Sequence, residues 1–74
     1  MDKSSLLEQL AKVRARAEAA HLEIVIHAKI VAELKKEGRD ASAAKVQLNI
    51  WKMTEQKLII QMDLILDQLD QVGR

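Results

Sequence analysis

The sequence predicts an all-α fold, an antiparallel helical hairpin that assembles into a multi-chain helical bundle. Three observations carry this reading. Apolar residues recur at alternating spacings of four and three through two long segments, which is the pattern of a coiled-coil seam. Among 74 residues there is no Pro, and Gly38 is the only Gly before Gly73. Each segment also carries more apolar surface than a single neighbouring helix covers. The chain therefore reads as one hairpin over residues 1–74, with a helix at about 6–37, a turn at 38–40 and a helix at about 41–72.

Ser5 followed by Glu8 fits a capping box and sets the expected start of the first helix. Lys35 and Lys36 suit its negative end, and Gly38 stands where a left-handed residue closes a helix. Asp40 is a good N-cap for the second helix, which Gly73 ends. So short a link makes the helices antiparallel neighbours. The first seam runs through Leu6, Leu10, Val13, Ala17, Ala20, Ile24, His27, Val31 and Leu34. The second runs through Ala41, Ala44, Leu48, Trp51, Glu55, Leu58, Met62, Ile65, Leu69 and Val72. Folding about Gly38 sets Leu6 against Val72, Val13 against Ile65, Ile24 against Glu55 and His27 against Trp51. It also brings Lys12, Arg14 and Arg16 alongside Asp63, Asp67 and Asp70.

A second stripe on the second helix, Val46, Ile50, Met53, Ile60 and Leu64, is broken by Lys57. It lies roughly 160° from the seam on a helical wheel. The first helix adds Leu22, Val25, Ile26 and Ile30, so residues 21–32 are apolar almost all round. These nine residues are the expected interface of a homo-oligomer, a dimer or a trimer. A further row of the second helix, Gln47, Thr54, Gln61 and Gln68, holds no charge. It reads either as a hydrogen-bond network that fixes register and copy number or as an ordinary neutral surface. Asn49, Gln56, Asp63 and Asp70 share another heptad position and read as solvated.

Composition narrows the function. A domain this small rarely draws more than about 3–5 kcal/mol from its own core, so copies of itself are the expected support. There is no Cys to make disulfides or thiolate metal sites. A net charge of +1 and a single aromatic residue, Trp51, offer neither the field nor the stacking surface that nucleic acid needs. No uncharged stretch approaches the ~18 residues of a membrane span. Asp2, Ser4 and Ser5 stand where the apolar segment of a signal peptide would begin, so a soluble chain compatible with cytoplasmic expression is expected. No cofactor is expected, and a small-molecule ligand remains open.

Equal helices, a three-residue turn, unbroken seams and amide side chains repeating every seven residues resemble computationally designed helical hairpins. The likeness covers the whole chain and is one of architecture; no motif of a natural family stands out. It implies a two-ring homo-oligomeric bundle with polar networks on the inner helix, a designed origin and no inherited biological activity. Leu22, Ile26 and Ile30 depart from the densely charged outer surface usual in that class.

Chemistry, if present, centres on the two polar residues of the seams, His27 and Glu55. With Trp51 between them they form either a buried pair that sets register, a His-dependent pH-responsive contact, or a site. As a site, Glu55 would be the base for proton abstraction, Trp51 a flat platform and His27 the orienting partner. Ala17 and Ala20 would leave room for a ligand. Glu23 and His27 are candidate metal ligands at i and i+4, shared with a symmetry mate. Glu18 and His21 have the spacing of di-iron carboxylate bundles, with Glu55 as the carboxylate from the other helix, but Glu18 lies off the seam. His21 reads as a flank residue, Lys57 as a snorkelling lysine, and Met53 and Met62 as gap-fillers.

Overall fold

The computed structural model describes residues 2–73. Two helices make up these residues, α1 over Lys3–Lys36 and α2 over Ser42–Val72. They pack antiparallel along their length into a rod whose Cα trace measures 57 × 14 × 13 Å. The seams form as the spacing predicts. Every seam residue of α1 is buried or half-buried, and so is every seam residue of α2 except Val72 at the open end. The tightest packing lies near the termini, where Leu6, Leu10, Val13 and Ile65 form a buried cluster flanked by Leu58, Met62 and Leu69.

α1 starts earlier than the capping box predicts. Asp2, not Ser5, is the cap: its Oδ1 accepts the Ser5 amide at 2.8 Å. A carboxylate is a stronger acceptor than a hydroxyl and also meets the positive end of the helix dipole. Residues 3–5 are compatible with helix, so the better cap extends it. At the other end the Arg39 amide donates to the Leu34 carbonyl at 2.8 Å, and the Gly38 amide donates to that of Lys35 at 3.1 Å. These are the two bonds of a Schellman closure, and Gly38 takes the left-handed φ of 70° that it requires.

α2 begins one residue later than expected, and its N-cap position is Ala41, whose side chain makes no capping bond, not Asp40. The Asp40 carboxylate instead holds the first helical residue from just outside the cap. Its Oδ1 accepts the Ser42 amide at 3.0 Å and the Ser42 hydroxyl at 2.6 Å. The Ser42 hydroxyl, then the Ser42 amide, hold the Asp40 carboxyl below its ordinary pKa. The basic residues near the amino end do not all reach across as expected. Lys12 instead pairs along its own helix with Glu8 at 3.9 Å, an exposed contact of small energetic weight.

Candidate functional site

Glu55 sits on the α2 seam with its side chain 27% exposed, and its partner is His21. The Glu55 Oε2 accepts from His21 Nδ1 at 3.0 Å across the two helices. His21 lies one turn before Ile24, the residue that register sets opposite Glu55. From that flank its ring reaches over the seam, where Ile24 has no polar atom to offer. With Nδ1 donating to the carboxylate, a neutral His21 keeps its lone pair on Nε2.

His27 is engaged elsewhere. Its Nδ1 donates to the Glu23 carbonyl one turn back at 2.7 Å, with the Glu23 carboxylate 3.6 Å from the same nitrogen. A carbonyl only accepts, so Nδ1 carries the proton and the neutral ring can bind a metal only through Nε2. The Glu23 carboxylate therefore stands on the nitrogen that cannot ligate. Among the described residues no group of three His, Asp or Glu side chains converges in a way that could hold a metal ion. Trp51 is half-buried in the seam. Of the expected trio, Glu55 is bound to His21 while His27 satisfies itself within α1.

Two grooves run between the helices on opposite sides of the rod. The larger, an open cleft of about 760 Å³, is lined by Arg14, Ala17, Glu18, His21, Leu22, Glu55, Ile59 and Met62. Ala17 leaves the space there that its small side chain predicts. The smaller, about 370 Å³, has Val13 and Ile65 with Gln61 and Gln68 on one wall and Gln9, Lys12 and Arg16 on the other. Two of the uncharged row thus border a groove. Thr54 is half-buried, its hydroxyl donating to the Ile50 carbonyl of its own helix at 2.9 Å, and Gln47 is exposed.

The outward apolar faces remain bare. Leu22, Val25, Ile26, Ile30, Val46, Ile50, Met53, Ile60 and Leu64 are between 41% and 63% exposed. Leu7, Ile59 and Leu66 join them, and sequence reasoning missed these three because they lie outside both stripes. Among the described residues no helix is long and apolar enough to cross a membrane. Compared with known proteins, the chain matches no family profile, no curated protein and no solved structure.

Proposed function

We propose that this chain is a structural self-assembly module, whose hairpins form a symmetric homo-oligomeric bundle, a dimer or a trimer, through their outward apolar faces. The observation that carries the reading is the exposure of all nine stripe residues. The total area agrees. A compact monomer of this mass exposes about 4,600 Å², whereas this chain exposes 5631 Å². The excess of about 1,000 Å² is close to the ~800 Å² that each partner contributes to a stable interface. The regular heptads and the short link between the helices, residues 37–41 where the sequence predicts 38–40, support a designed origin for such a module. Light-scattering mass tests the assembly: the chain is expected to give two or three times its formula mass, and Met53→Lys to shift it toward one. A chain that stays monomeric at millimolar concentration refutes the reading.

A second reading is favoured by the larger cleft. Glu55 borders it beside Ala17 and Met62, so a small apolar molecule bearing an acidic proton could dock against the carboxylate, which would act as its acceptor or base. On this reading Glu55→Gln abolishes binding or turnover and leaves the oligomer mass unchanged. Unaltered binding in that variant removes Glu55 from the role.

A further inference from the structure

We propose that the second copy docks antiparallel along α2, about a two-fold axis at the height of Glu55; this arrangement rests on the self-assembly reading above. The outward stripe of α2 consists of Val46, Ile50, Met53, Lys57, Ile60 and Leu64, and every member is exposed. Its spacings run four, three, four, three, four, so the stripe reads the same in both directions. Turned end over end, a second α2 sets Val46 on the partner's Leu64, Ile50 on the partner's Ile60 and Met53 on the partner's Lys57. All layers align without a gap.

The same stripe also aligns in parallel, and three features choose between the two. In the parallel pair Lys57 faces the partner's Lys57 within an apolar layer, where like charges repel at low dielectric. Antiparallel docking lays the lysine stem on the partner's Met53, from which the ammonium can reach the rim.

The flanks point the same way. A two-fold axis perpendicular to the helices brings each flank of α2 against the same flank of its copy, while a parallel axis crosses them. On one side the bordering row is Asn49, Gln56, Asp63 and Asp70, with Lys45 and Lys52 one position further round and Asp67 continuing the stripe, so this side is basic in its first half and acidic in its second. End-over-end docking places Lys45 level with position 65 of the partner, between the partner's Asp63 and the partner's Asp67. Exposed pairs of this kind contribute orientation more than affinity.

The other flank is the uncharged row. Gln47, Thr54 and Gln61 are spaced by seven and are symmetric about Thr54, one residue from the centre of the stripe. Antiparallel docking therefore sets Gln47 beside the partner's Gln61 and Thr54 beside the partner's Thr54. The amides both donate and accept, and the Thr54 oxygen still accepts after donating to Ile50. Crossed flanks would instead set this neutral row against Asn49, Gln56, Asp63 and Asp70, two of them carboxylates with no donor to return.

The chain has no Cys, so cross-linking tests the geometry without background. Chains carrying V46C and L64C are unfolded together, refolded and oxidised. The V46C–L64C disulfide is expected to exceed either homodimer by about tenfold, because in the antiparallel pair the two Val46 positions lie about 27 Å apart. Dominant V46C homodimers overturn the antiparallel assignment and leave self-assembly standing. A dimeric mass with no disulfide of any kind overturns the contact along α2. A monomeric mass overturns the assembly reading on which the arrangement rests.

Discussion

The end of the rod that holds the termini is built differently from its middle. Near the termini Leu6, Leu10, Val13 and Ile65 close into a buried cluster, with Ala17 and Ala20 continuing it. Between Ala20 and Val31 no residue of α1 is buried, and the facing seam of α2 carries Leu48, Trp51 and Glu55, all half-buried. The middle is also where the outward faces are most apolar, with Leu22, Val25, Ile26, Ile30, Ile50 and Met53 all exposed. The terminal segment is stabilised by its own seam, whereas the middle directs its apolar surface away from the seam. Cover for that surface has to come from outside the hairpin.

The largest effect should come from breaking the buried cluster near the termini. Leu6 is 1% exposed, and Leu6→Ala is expected to cost about 2–4 kcal/mol in chemical denaturation at fixed protein concentration. A comparable loss from truncating half-buried Ile24 would erase the contrast between end and middle. The reverse experiment makes the middle resemble the end. Glu55→Leu replaces a half-buried carboxylate by a seam aliphatic and should stabilise the hairpin by about 1 kcal/mol. His21 loses its partner in that variant at little cost, because its ring is exposed.

Much of this contrast is legible in the sequence, and the rest fails for identifiable reasons. Alternating spacings locate the seams because burial against one neighbour demands that period, and Gly38 marks the turn because few residues accept its φ. Ser5 and Glu8 misplace the first cap because a pattern of two residues outweighs a lone Asp2 in sequence, while the geometry favours the carboxylate. The partner of Glu55 is hidden for a different reason. Register pairs Cα positions layer by layer, but His21 reaches Glu55 from a flank through the length of its side chain. His27 likewise finds its acceptor on its own backbone, a choice that heptad position does not encode.

Two smaller predictions probe the turn that keeps both regions in register. A Cβ at Gly38 meets nothing within 4 Å, so Gly38→Ala should cost only the left-handed conformation, about 1 kcal/mol, lowering both regions together. The Asp40–Ser42 contact gives the smallest effect and a pH signature. The Asp40 carboxyl is held below its ordinary pKa by the Ser42 hydroxyl and amide. The stabilisation is therefore present above the unfolded value and is lost as pH falls through the folded one. Asp40→Ala should lower the melting temperature slightly at neutral pH and have no effect once the carboxylate is protonated. A difference that persists in acid would mean that Asp40 does not act through its charge.

Sedimentation equilibrium of the unaltered chain over a wide dilution series tests the central claim most directly, that copies of the hairpin cover the outward faces. The expected mass is that of two or three chains, falling toward one only on dilution. A mass of one chain at every concentration would contradict it.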